Sequence, residues 1–320
     1  MFKNATLYRI GPEWSATVEE IEEALDKGRF VECGATQPLA MGWVEPRGEP
    51  NGPLVESVGG QWMLKLMTEK KVVPGSVVKR KVDELSARIE KETGRKPGKK
   101  QSKEIKEQAV LELLPMAFTK RSATVIWIDR ENRLLLIDSS SQAKADEVVT
   151  ALVQGFTGFS DMLVQTETSA SVSMAEWLVS KEPPPGFSID RECELQSQDE
   201  TKANVKYARH MLDTDEVAQH ITGGKVPTKL AMTWDGRVSF LLTESMQIKK
   251  LSFLDVTFEN STAKGDDGFD ADTAIATGEM SKLIPDLLEA LGGERLKFGE
   301  PAAKSEAVVD DVKAETAHAA

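Results

Sequence analysis

Cysteine, histidine and long apolar runs are all scarce in this chain. Two cysteines, Cys33 and Cys193, stand 160 positions apart and outside any CxxC pair, which supports neither a zinc site nor a disulfide framework. Three histidines, His210, His220 and His318, are too few and too scattered for a typical metal cluster. No metal or cofactor is expected. The longest apolar runs hold four residues, VIWI (125–128) and LLLI (134–137), far below the roughly 18 to 20 that span a bilayer. The opening decapeptide, MFKNATLYRI, lacks the apolar segment and small-residue cleavage site of a signal peptide, so a cytoplasmic protein with no membrane partner is expected.

What is present is ample material for a core: 40% hydrophobic residues in 320, enough for two or three domains. TLYRI (6–10) reads as a strand, and TVEEIEEALDKGRF (17–30) as a helix with Val18, Ile21, Ala24 and Leu25 at helical spacing. The Gly/Pro-rich passage 39–60 reads as a long loop, and WMLKLMTEKK (62–71) as a strand. From Pro74 the rhythm changes. Val78, Val82, Leu85 and Ile89 form one apolar stripe, Gly94 suits a helix end, and a second helix carries Ile105, Ala109, Leu113 and Ala117. The two make a helical hairpin.

Residues 122–182 read ββαβ plus a short helix (173–180), stopped by the PPPGF stretch, which marks a boundary. Beyond it, 225–255 holds two or three strands, and MSKLIPDLLEALGGE (280–294) is a terminal helix closed by Gly292 and Gly293. The expected organisation is an N-terminal α/β segment (1–73), a basic hairpin with a tip interface (74–121), the ββαβ segment (122–182), a C-terminal α+β segment (183–299) and a disordered acidic tail (300–320). The fold class is α+β with mixed sheets and a protruding hairpin.

Charge is the strongest signal. Lys79 to Arg121 holds thirteen basic and seven acidic residues, a net of +6, which leaves -18 on the rest of a chain whose total is -12. Lys81, Arg88, Lys91 and Arg95 fall on one face of the first helix, while Lys99, Lys103 and Lys106 stack on the second; Lys96 and Lys100 flank the turn. Charged helices are often merely solvated, and a pair such as Glu84–Arg88 contributes only about 0.3 to 0.5 kcal/mol. A positive arm on a negative body, however, attracts polyanions in one orientation, and the phosphate backbone of duplex DNA fits that field. No finger, zipper or RNP-like motif is recognisable, so binding through phosphates with little sequence preference is expected.

The stretches LAMGWVEP (39–46), LLPMAFTKRSATVIWID (113–129), GGKVPTKLAMTWDGRVSF (223–240) and FDADTAIATGEMSKLIPDLLEALGGE (269–294) resemble the RdgC family of recombination-associated proteins, over about residues 2–295. The resemblance implies a homodimer closed into a ring at two interfaces, with duplex DNA through a positively lined hole. It further implies restraint of RecA by competing for, or blocking access to, the same DNA; a nucleoid-associated location is expected, and single-stranded DNA is left open as a second ligand. Phe118 matches the aromatic used at the tip contact between subunits; its alternative role is a core residue of its own helix. Lys225 matches a DNA-facing lysine, and Arg209 a position where a basic side chain is expected. Met116 stands where the family pattern often has arginine and His210 where it has glutamine, so Lys120 and Arg121 are candidates to supply the contact instead.

The residues leave two other function classes open. GGKVPTK lacks phosphate-loop spacing and there is no GxSxG or HExxH, but Asp266, Asp267, Asp270 and Asp272 in DDGFDAD (266–272) suggest a Mg²⁺-dependent nuclease. Asp beside Gly more commonly forms turns and caps, and the spacing is not that of an EF-hand, so a non-enzymatic role is expected. The third class is an adaptor whose hairpin docks an acidic protein.

Overall fold

In the computed structural model, residues 2–258, 268–295 and 298 are described. Elements follow the chain as β1 (Thr6–Ile10), α1 (Val18–Asp26), β2 (Leu39–Trp43), β3 (Glu56–Val58), β4 (Gln61–Val72), α2 (Gly75–Thr93), α3 (Lys99–Leu113), β5 (Phe118–Asp129), β6 (Leu134–Ile137), α4 (Gln142–Gly155), β7 (Asp161–Leu163) and α5 (Ala170–Ser180). After them come β8 (Phe187–Ser197), β9 (Asn204–Ala208), α6 (Asp215–Thr222), β10 (Lys225–Trp234), β11 (Val238–Thr243), β12 (Ile248–Phe253) and α7 (Gly268–Ala290). Local chemistry sets several boundaries. Thr17 and Glu20 form a reciprocal capping box that starts α1. Gly94, left-handed at φ 70°, ends α2 with its N–H donating to the Glu90 carbonyl.

The first sheet runs β2-β4-β5-β6-β1-β7, with β3 also on β4. Its register explains how one sheet serves two cores. Leu7 lies opposite Leu136 and Trp127 opposite Met63, and these side chains join the face shared with α5, α7 and the second sheet. Their neighbours Tyr8, Leu135, Ile128, Ile126 and Leu64 point the other way, into a core closed by α1 and α4. Trp14, Trp43, Trp62, Phe156 and Phe159 fill that second core. The second sheet runs β12-β11-β10-β8-β9.

The α+β class stands, but the sheets are not mixed: among the described residues every strand pair is antiparallel, and the one parallel contact is the isolated bridge Arg29–Trp43. Short turns between β5 and β6 and along β10–β12 permit only antiparallel neighbours. Segments 1–73 and 122–182 do not form separate units, because β1 pairs with both β6 and β7, and β4 with β5. Nor does the proline stretch divide cores, since Met174 and Trp177 share a cluster with Phe187 and Trp234. The expected loop 39–60 contains β2 and β3, both held by pairing to β4. Gly42 is required there: a Cβ would come within 2.4 Å of the Phe30 backbone, where the preceding loop crosses β2. The tail expected at 300–320 lies outside the described residues.

Candidate nucleic-acid interface

The basic residues of the hairpin are mounted on a core of their own. Leu85, Ile105 and Ala109 are buried together, with Val82 and Ile89 against them, separate from both larger cores. That stripe fixes which faces of α2 and α3 turn outward. Arg88, Lys91, Arg95, Lys96, Lys99, Lys100, Lys103 and Lys106 are all exposed. Within this set the one ion pair among the described residues is Lys103 to Glu107 at 3.9 Å, which exposed side chains make worth little. Helix α3 begins with Lys99 and Lys100, has no acidic residue in its first turn and no side-chain cap. Cations there oppose the positive end of the helix dipole, and an anion at the turn relieves both.

Lys81 does not belong to this free set. Its Nζ lies 3.1 Å from Glu112 on α3 and 3.6 Å from Glu84. The hydrogen bond to Glu112 holds the ammonium above its ordinary pKa and the Glu112 carboxyl below its own. Lys81 is thus a strut between the two helices, a partner choice that helix spacing alone does not reveal.

The strands β4 and β5 stay paired out to Val72 opposite Phe118, where the hairpin joins them. Phe118 is 88% exposed and opens β5, so it is not a core residue of a helix. Beside it Met116 is 75% exposed, and Val72 and Leu111 are exposed as well. These residues lie at the root of the hairpin, not at its Gly94–Gly98 turn. Lys120 is exposed and has no partner among the described residues.

Its neighbour Arg121 is bound on both sides. Nε meets Glu69 Oε1 at 2.7 Å, the terminal nitrogen meets Glu32, and the guanidinium lies over the Phe30 ring. Glu69 is 1% exposed, and its other oxygen accepts the Cys33 N–H at 2.6 Å. The Cys33 amide, then Arg121, hold the Glu69 carboxyl below its ordinary pKa. Arg121 therefore ties the loop around residues 30–33 to the ribbon and is not free to replace a missing arginine at Met116.

Arg209 and His210 follow β9 and Lys225 opens β10, both strands of the second sheet, whereas the hairpin joins strands of the first. Arg209 is exposed with φ 57°, a left-handed conformation uncommon outside glycine. His210 Nδ1 donates to the Met211 carbonyl at 2.6 Å, and its ring lies 5.4 Å from that of Tyr207. Tyr207 also faces His220 at 6.3 Å, and Lys225 Nζ donates to His220 Nδ1 at 3.4 Å. The buried Tyr207 hydroxyl donates to Glu216 at 3.0 Å, and burial followed by that carboxylate pushes its pKa up to about 12. One chain of rings thus links His210 to Lys225. Tyr207, His220 and Glu216 escaped the sequence reading because nothing in their spacing marks them.

The aspartate motif falls only in part within the described residues. Asp266 and Asp267 lie outside the described residues, while Asp270 and Asp272 sit in α7. Asp270 is paired at 2.5 Å with Arg47, which also holds Glu56 and covers the Phe269 ring. Among the described residues no group of three or more His, Cys, Asp or Glu is placed to hold a metal ion. No helix among them is long and apolar enough to cross a membrane.

Comparison with known proteins adds a consistent result. A family model described as "Putative exonuclease, RdgC" matches residues 1–294. The recombination-associated protein RdgC of Dechloromonas aromatica is 44% identical over 299 residues, covering 92% of this chain and 98% of that protein. The protein of the same name from Cupriavidus pinatubonensis is 43% identical over 297 residues, covering 92% and 99%. That of Bordetella pertussis is 40% identical over 297 residues, with the same coverage.

Proposed function

The chain belongs to the RdgC family of recombination-associated proteins, and from that premise we propose that it binds duplex DNA without sequence preference as a homodimeric ring. The observation that carries this reading is a group of eight exposed cations along the hairpin, of which Lys103 alone is ion-paired among the described residues, in a chain of net charge -12. A ring gathers two copies of that surface around one duplex, so many weak phosphate contacts act together. The acidic remainder repels DNA from other surfaces and favours a single path.

Closure draws on the apolar surface at Phe118, Met116 and Val72, which the described residues leave exposed. A large exposed aromatic rimmed by polar residues is suited to a subunit contact. Arg209, His210 and Lys225 add a second, smaller DNA contact on the second sheet. Restraint of RecA follows from occupation of the same DNA and calls for no catalytic step.

The reading is non-enzymatic, and the family model's description as an exonuclease is the competing one. Binding of the full chain to two unrelated duplexes across a salt series tests the proposal, and end-labelled duplex incubated with Mg²⁺ tests the competitor. Steep, equal salt dependence without cleavage is expected. Strong discrimination between the sequences overturns the first reading, and progressive loss of label restores the second.

A further inference from the structure

The antiparallel register of β4 and β5 sets Lys70 directly opposite Lys120, and Thr68 opposite Ser122. Residues two apart on a strand share a face, so all four side chains continue the face that, closer to the body, carries Trp62, Leu64 and Leu66 against α1 and α4. From α4, Lys144 reaches the same face, its Nζ 3.5 Å from Ser122 Oγ. Lys70 and Lys120 are exposed, and none of the three lysines has a carboxylate partner among the described residues.

Like charges directly opposite on paired strands, with Cβ atoms about 4.5 to 5.5 Å apart, destabilise the pair. An acidic chain has carboxylates to spare, yet among the described residues none is paired with these lysines. The reverse face of the same ribbon is treated differently: Arg121 is held by Glu69 and Glu32, and Lys71 donates to the Ala35 and Leu114 carbonyls. Cations are tied down on one face and left open on the other. Phe118 and Val72 lie one pair further out on this same face and offer a second copy an apolar seat, whereas the lysine pair offers it only like charge. A phosphate backbone supplies the missing negative charge, and the Ser122 and Thr68 hydroxyls are suitable donors to its oxygens.

We propose that Lys70, Lys120 and Lys144 form a phosphate-binding row that carries the duplex from the hairpin onto the body of the molecule. This rests on the DNA-binding reading above and assigns to it residues on the sheet and on α4.

The test is the salt dependence of duplex affinity for the full chain against the triple variant Lys70→Gln, Lys120→Gln and Lys144→Gln, with acetylation of the three lysines measured in the unsubstituted protein with and without duplex. At about 0.9 per phosphate, the slope of log affinity against log salt is expected to fall by about two to three, and duplex to protect the three lysines. A steep parental slope left unchanged by the substitutions, with acetylation equal in both states, overturns the row while leaving DNA binding intact. A flat parental slope overturns both. A variant that alters subunit association but not the slope makes this face a protein contact and also overturns the row. Should the variant misfold, acetylation of the unsubstituted chain decides.

Discussion

Lys120 and Arg121 are neighbours in sequence with opposite surroundings, and the difference is decided by strand parity. Arg121 falls on the face where Glu69 is buried and the 30–33 loop crosses, whereas Lys120 faces solvent. A cation already neutralised by two carboxylates contributes little to counterion release. Arg121→Ala is therefore expected to leave the salt slope of duplex binding nearly unchanged, while Lys103→Ala lowers it by about one; fluorescence anisotropy titrations measure both. Glu69 makes a separate prediction about acid. Its folded pKa lies below the ordinary 4.5, so its stabilisation is complete above the unfolded value and is lost as pH falls through the folded one. Urea unfolding should show wild-type stability dropping on the acid side of pH 4.5, with a flatter profile for Glu69→Gln. Hydrogen exchange at the Cys33 amide should quicken in that variant at neutral pH, because its acceptor is weakened.

At the scale of elements, the hairpin has a small apolar core of its own, separate from the two larger ones, so it should open independently of the sheets. Truncating Leu85 to Ala is expected to cost about 2 to 5 kcal/mol locally. Hydrogen exchange should then show loss of protection across α2 and α3 with the β1, β5 and β6 amides unaffected. This element was the most legible in sequence, because an apolar stripe at spacings of three and four, closed by Gly94, leaves little alternative. Strands β8 and β9 were not legible. Asp190, Arg191 and Glu192 interrupt β8 at a register shift against β10, and pairing to β10 on one edge and β9 on the other makes the segment extended. In the same way β2 and β3 lie in a Gly/Pro-rich passage whose own propensities argue against strands, and β4 supplies the pairing. The residues that neutralise candidate cations were equally hidden, since Glu112 meets Lys81 and Glu69 meets Arg121 only through folding.

For the whole molecule, the account joins a charge asymmetry to a shape. Subtracting the hairpin region's +6 from -12 leaves a strongly acidic remainder, and a duplex bound through six to ten phosphates should lose about 10³- to 10⁵-fold in affinity between 50 and 200 mM salt. Assembly enters through Phe118. Phe118→Ala is expected to weaken self-association in sedimentation and to shorten retention on circular DNA at unchanged hairpin charge. An unaltered dimer with unaltered retention would remove Phe118 from the interface. The central claim, that the hairpin cations hold the phosphates of a duplex, is tested most directly by one salt titration. Wild type is compared with a variant carrying Lys99→Gln, Lys100→Gln, Lys103→Gln and Lys106→Gln on the same duplex. The account predicts a steep parental slope reduced by about four in the variant if each lysine meets one phosphate. Two superimposable lines would contradict it.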